Sequence, residues 1–392
     1  MLEYAAELRK DAMNISNNKP YFTGKELEYI ADAIKRGSVS GDGYYTELVT
    51  SFIQERFKAK GVLMTTSGTH ALEMACMLAD LKPGDEVIMP SYTFPSAANA
   101  VMRMGARPVF ADISEDTLNI DPADAAMKVT VRTKAIMPVH YGGISCDMDK
   151  INEIAKCNCL YVIEDAAQAV NSGYNGKYLG TVGHFGCYSF HGTKNLTSGE
   201  GGALLINTDD PEIIRRAGII RQKGTNREDF LRGDSKRYCW VGLGSSYSPS
   251  DILMALLYSQ LLEMNQIEKR REYIYNYYSR ELNRFIDAGV IRTMFIPAGC
   301  KPNYHLFSLI FRNGSERDKV MYELNRRGIC AVIHFIPLHS SPMGIKLGYR
   351  PEDLKITERA ASCLLRLPMH TGLTQEELDI ISENLSDILG EL

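Results

Sequence analysis

Between about residues 62 and 207, short apolar runs alternate with stretches whose apolar positions recur at helical spacing. Residues 62–66, 86–89, 108–111, 135–139 and 160–163 are brief, apolar and rich in Val, Ile and Met, and they predict buried strands. Residues 71–79, 96–104 and 148–155 predict helices between several of them. Strand, helix and strand in repetition make an α/β fold, a mostly parallel sheet with helices on both faces. Ligand chemistry in such sheets gathers beyond the carboxyl ends of the strands. Ser67, Tyr92, His140, Asp165 and Lys194 all fall at that edge.

Further along, helical patterns start near Pro211, over residues 251–258 and over 266–275, the last as a long linking helix. Residues 306–311 and 330–334 predict strands separated by a helix over 316–327. The chain of 392 residues is too long for one simple core. We therefore expect a large domain over 1–260 and a smaller C-terminal α/β domain over 261–392, the change falling between about 250 and 280. Pro20 and the 37–43 region interrupt the first ~60 residues, which lead into the large domain over the rim of the site.

Composition narrows the classes. A formal net charge of -4 offers no electrostatic reason for nucleic-acid binding. No apolar run approaches the ~20 residues that cross a bilayer, so no membrane insertion is expected. Residues 1–10 carry acids early and lack the apolar section of a signal peptide. Nine scattered cysteines fit buried thiols in a reducing, cytoplasmic compartment. Cys157 and Cys159 are spaced too closely for an ordinary metal-binding pair, and no metal is assigned.

The candidate chemistry centres on residues 188–202, where Lys194 is the one lysine among small, hydroxylated and aromatic residues. Asp165 ends the preceding apolar run. A carboxylate there can keep a cationic ring nitrogen protonated, and a nearby amine can hold pyridoxal 5′-phosphate (PLP) as an imine. Burial beside a cationic cofactor would also lower the lysine's pKa toward neutrality. The turn 66–71 puts hydroxyls and a glycine between a strand and a helix start, where free amides favour a phosphate. The same Ser and Thr residues also serve as ordinary N-caps. Ser189 can add a phosphate contact, and Gln168 can reach the ring's phenolic oxygen or simply lie on the surface.

Phe94 and Tyr92 compete for stacking on the ring, with core packing as the alternative for either. His140 can touch substrate or cap a turn. His334 and His339 lie in a C-terminal loop that can contact substrate or pack around Pro337. Arg227 belongs to a cationic stretch over 221–232 suited to a phosphorylated or nucleotide-linked substrate, or simply solvated. A Rossmann-type dehydrogenase of the same fold class would need a GxGxxG turn after an early strand, and residues 242–247 hold only part of one, late in the chain.

Taken jointly, 67–71 (SGTHA), 90–94 (PSYTF), 162–168 (VIEDAAQ) and 189–195 (SFHGTKN) resemble the DegT/DnrJ/EryC1/StrS sugar aminotransferases. The resemblance runs from about Asn17 through nearly the whole chain. It implies the PLP-dependent transferase fold of type I, aspartate aminotransferase-like, with a seven-stranded sheet in the large domain. It also implies that Lys194 carries PLP, Asp165 pairs with the ring nitrogen, Phe94 covers the ring and Gln168 lies near the phenolic oxygen. Gly68, Thr69 and Ser189 fall at phosphate-contact positions. The family forms homodimers with sites at the subunit interface. Its cross-subunit Asn and Arg positions read Ser246 and Ser248 here, so Ser246 is left to contact the phosphate through a hydroxyl. Residues 61–66, 84–94, 223–227 and 244–247 resemble the branch that makes dTDP-4-amino-4,6-dideoxygalactose for enterobacterial common antigen, a lipopolysaccharide-related pathway. That branch implies L-glutamate as amino donor and a dTDP-linked 4-keto-6-deoxy sugar as acceptor, with another nucleotide-sugar 3- or 4-aminotransferase as the alternative.

Overall fold

The computed structural model describes residues 14–392. The N-terminal decapeptide read above for targeting lies outside them. The five apolar runs become β1 (Gly61–Thr65), β2 (Glu86–Pro90), β3 (Arg107–Ala111), β4 (Thr133–Ile136) and β5 (Tyr161–Asp165). Two strands hidden in glycine-containing sequence, β6 (Phe185–Ser189) and β7 (Gly202–Ile206), complete a seven-stranded sheet ordered β1-β7-β6-β5-β4-β2-β3. β7 is antiparallel to both its neighbours, while the pairs from β6 through β3 are parallel.

The sheet sorts its side chains with period two, as the pleat requires. Val87, Met89, Ile163, Phe185 and Leu204 enter one hydrophobic core. Ile88, Ile136 and Val162 enter a second, and Met64, Tyr188 and Leu205 a third. The first ~60 residues contribute α1 (Glu26–Lys35) and α2 (Tyr44–Phe57). Tyr45, Val49, Ile53 and Phe57 repeat every four residues along α2 and pack into the same core as Met64 and Leu205. These helices are therefore part of the core wall, and only Asn17 and Asn18 ahead of them reach the pocket rim. The sheet's other helices include α3 (Gly68–Leu78), α4 (Pro95–Arg103), α5 (Met148–Cys157) and α6 (Pro211–Arg221).

Helix α7 (Asp251–Leu262) leads into the long α8 (Met264–Glu281). Met264 and Ile267 of α8 share the core of α2, whereas Ile274 and Tyr278 enter a separate C-terminal core. That core covers a three-stranded antiparallel sheet of β8 (Ile291–Arg292), β9 (Ser308–Phe311) and β10 (Leu364–Arg366), with α9 (Gly314–Arg326) and α10 (Gln375–Leu389) against it. Residues 330–334 do not form the expected strand. Their backbone bonds are divided, with Cys330 N–H donating to Ile15 and Val332 exchanging bonds with Arg366, so no ladder develops. Among the described residues no helix is long and apolar enough to cross a membrane.

Candidate active site

The carboxyl ends of β1, β5 and β6 open on a cavity of about 710 Å³. Helix α3 begins directly after β1, and the Ser67 hydroxyl accepts the His70 N–H at 3.1 Å. That cap satisfies one of the donors a helix start leaves orphaned. Gly68 and Thr69, the next two residues of that first turn, line the cavity. Thr69 is steadied by a 2.7 Å hydrogen bond between its hydroxyl and that of Ser96. Only glycine permits this nesting. A Cβ on Gly68 would lie 2.9 Å from Ser189 Cβ, and one on Gly202 would lie 2.4 Å from the Ser67 carbonyl carbon. The close approach sets Ser189, at the end of β6, beside the helix start, where an anion finds amides, hydroxyls and the positive helix end.

Asp165 ends β5 and is buried, with Oδ1 accepting the Ala167 N–H at 3.1 Å. Burial raises its pKa, against the opposing effects of the Ala167 N–H, Lys194 and His140. Lys194 sits in the loop after β6, with its backbone N–H donating to the His191 carbonyl. Burial lowers its amine to about 8, Asp165 opposes that change and the Arg366 guanidinium adds to it. An amine poised there is half unprotonated at about pH 8, far below the usual lysine range. Capture of added PLP by the cofactor-free protein should therefore accelerate with pH and level off above about 8. Only the neutral amine attacks the aldehyde, so a stopped-flow rate that is flat between roughly pH 6.5 and 9.5 would contradict this assignment.

The other expected site residues divide. Phe94 lines the cavity with its ring 60 % exposed, whereas Tyr92 is 1 % exposed and packs on Tyr141 with centroids 5.1 Å apart. Phe94 is thus the ring available for stacking, and Tyr92 belongs to the core. Gln168 lines the cavity and its Oε1 accepts the Gly142 N–H at 2.7 Å, which orients the amide. His334 also lines it, stacked on Phe335 at 3.8 Å and hydrogen-bonded to the Tyr141 hydroxyl.

Four of the expected site residues lie outside this chain's own cavity. His140 is fully buried, with Nε2 2.9 Å from Glu164 and Nδ1 accepting the Cys146 N–H, and it does not line the cavity. It acts from behind, its backbone N–H donating to the Asp165 carbonyl at 3.1 Å. His339 is likewise buried, held by the Ser91 hydroxyl at 2.7 Å and by Glu358 at 3.3 Å. Arg227 is exposed at the start of a short helix, Arg227–Arg232. Ser246 is exposed and bridges Gln222 after α6, outside this chain's own cavity.

Two basic cavity residues, His305 and Arg366, are not marked by the sequence patterns above. His305 hydrogen-bonds Asn195 at 2.8 Å, and burial holds its pKa well below the usual imidazole value. Arg366, the last residue of β10, lines the cavity with its Nε buried and without a hydrogen-bond partner. A lone arginine inside the apolar stretch 363–369 was a signal that could have marked it.

The family model of the DegT/DnrJ/EryC1/StrS aminotransferases matches residues 20–386. The chain belongs to that family. It is 32 % identical over 381 residues to GDP-perosamine synthase of Caulobacter vibrioides, covering 97 % of this chain and 99 % of the relative. It is 33 % identical over 378 residues to a spore coat polysaccharide biosynthesis protein of Bacillus subtilis, covering 94 % and 96 %. An aminotransferase of Streptoalloteichus hindustanus superposes with a TM-score of 0.88 at 28 % identity, over 96 % of this chain and 99 % of that one. A Streptococcus pneumoniae protein solved in its PLP form gives 0.88 at 26 % identity, over 96 % and 99 %. The protein is a PLP-dependent aminotransferase of this sugar-processing family. Its cavity fits that cofactor: a lowered amine, a buried carboxyl and a helix-start anion seat face one space.

Proposed function

We propose that the protein transfers the amino group of L-glutamate to C4 of dTDP-4-keto-6-deoxyglucose, giving dTDP-4-amino-4,6-dideoxygalactose and 2-oxoglutarate. The observation that carries the aminotransfer chemistry is the meeting of Lys194 and Asp165 in one cavity with the glycine-dependent helix start of α3. When bound, PLP supplies an electron sink for the pair left on the donor carbon after deprotonation. Lys194 anchors the cofactor through Nζ and, once a donor displaces it, uses the same nitrogen to carry a proton from the donor's α-carbon. Asp165 holds the proton on the ring nitrogen. Gly68, Thr69 and Ser189 seat the phosphate, Phe94 covers the ring, and the free amide nitrogen of Gln168 donates to the phenolic oxygen. His334 supplies a polar wall for the acceptor.

The dTDP-linked acceptor is supported by the segments 61–66, 84–94, 223–227 and 244–247 and by serine at 246 and 248. In this reading the protein works as a homodimer, with Ser246 offering its hydroxyl to the partner's phosphate. The exposed Trp240 and Leu243 on the same loop suit burial against a second copy. A second reading, with a GDP-linked keto sugar, is favoured by the likeness to GDP-perosamine synthase. Purified enzyme with PLP and glutamate, offered dTDP-, UDP- and GDP-linked 3- and 4-keto sugars, distinguishes them. Turnover of dTDP-4-keto-6-deoxyglucose to the galacto product is expected. Turnover of a GDP- or UDP-linked sugar alone would overturn the choice of nucleotide.

A further inference from the structure

Asn17 meets the cavity from the segment ahead of α1, and that segment is fastened along its length. Ile15 donates its N–H to the Gly328 carbonyl and accepts from the Cys330 N–H, both at 2.9 Å. The Asn17 carbonyl accepts the Met369 N–H at 2.9 Å. Its side-chain nitrogen donates to two further carbonyls, Cys330 at 3.1 Å and Arg366 at 3.4 Å. Carbonyls only accept, so these partners fix which end of the amide is nitrogen and use both of its hydrogens. Oδ1 is what remains. It accepts from no donor among the described residues, and it is not one of the buried atoms left without a partner, so it stays open to a ligand. The cavity rim therefore presents a fixed acceptor with no hydrogen of its own to give.

Such a group selects by what it lacks. It binds a hydroxyl or an amine and repels a carboxylate, a phosphate or a carbonyl oxygen. L-Glutamate brings two carboxylates, and its one amine is taken up by the cofactor. PLP leaves no donor free either, since Asp165 holds the proton on the ring nitrogen. The acceptor sugar is the ligand that carries hydroxyls near the reacting carbon. We propose that Asn17 Oδ1 accepts a hydrogen bond from a ring hydroxyl of the acceptor sugar, which makes Asn17 a specificity-determining residue; the inference rests on the aminotransferase reading above. Because the segment is already held by Gly328, Cys330, Arg366 and Met369, the oxygen loses little conformational freedom when the sugar arrives. A sugar without that hydroxyl leaves the acceptor unpaired, and a site built around a hydrogen bond rejects such a ligand strongly.

A cycle of substrate and side-chain deletions tests this. Holoenzyme first aminated by glutamate is mixed with the keto sugar that turns over in the panel above, and with analogues each lacking one ring hydroxyl. Asn17→Ala should lower kcat/KM for the parent sugar by roughly tenfold to a hundredfold. With the analogue that lacks the recognised hydroxyl, the wild type should fall to a similar level and the variant should fall no further. The rate at which glutamate aminates the cofactor should change little. A merely structural role would lower the parent, every analogue and the glutamate step alike, and that result would overturn the assignment. So would a wild-type enzyme that converts every analogue as well as the parent, whether or not the variant folds. The same hydroxyl-dependent loss with a GDP- or UDP-linked sugar would support Asn17 and overturn only the choice of nucleotide.

Discussion

Replacement of Lys194 by alanine is expected to abolish the absorbance of the lysine-bound cofactor and to lower kcat by at least ~10⁴-fold. The variant loses two roles at once, the covalent anchor and the nitrogen that moves the proton. No other amine can take over, because the remaining cationic side chain deep in the cavity is Arg366, whose guanidinium stays protonated. Stability should move the other way or stay level. The Lys194 amine is lowered to about 8 chiefly because burial disfavours its charge. Below that pH the folded protein therefore carries a cation it would hold more comfortably when unfolded, and alanine removes the penalty. Melting of the cofactor-free variant at or above the wild-type temperature, with no cofactor band, is the result to look for. A full-strength band in Lys194→Ala would show that the anchor lies elsewhere.

Asp165→Asn should lower kcat by about 10²- to 10⁴-fold while leaving the cofactor band in place. The amide has the carboxylate's shape, and its oxygen can still accept the Ala167 N–H, so the fold around β5 is preserved. What it lacks is the charge that holds a proton on the ring nitrogen. The substitution has a second, independent signature. Asp165 is the group that opposes the lowering of the Lys194 amine, so its neutral replacement should move the lysine pKa further below about 8. The pH midpoint of PLP capture shifts downward in consequence, toward acid. A variant within tenfold of wild-type kcat, with an unmoved midpoint, would remove Asp165 from the chemistry.

The two residues on which these predictions rest were readable because their signals are local. Asp165 closes an apolar run and Lys194 follows a small-residue turn, and both facts survive any tertiary arrangement that pairs β5 with β6. The same locality explains what was misread. Residues 330–334 look like a strand by composition, yet their hydrogen bonds go to Ile15 and Arg366, partners far away in sequence. Gly186 interrupts the apolar pattern of β6, and the four apolar residues after Gly202 make too short a run to tell a strand from a helix segment. Gly202 is there for the close approach of the α3 start, a contact between elements that periodicity does not register.

Histidines show the limit most plainly. His140, His334 and His339 were equivalent candidates as polar residues beside apolar runs. Packing turned His140 toward Glu164 and His339 toward Ser91, and left His334 on the cavity wall. By itself the chain determined the α/β alternation and pointed to Lys194 and Asp165 at the strand ends as candidate amine and acid, since those follow from short-range periodicity and from what each functional group can do. The tertiary structure placed Phe94 on the cavity wall and Tyr92 in the core, decided which histidines reach the cavity, and brought Arg366 to it from another sheet. Those outcomes depend on which distant segments exclude water from one another, and no local pattern encodes that.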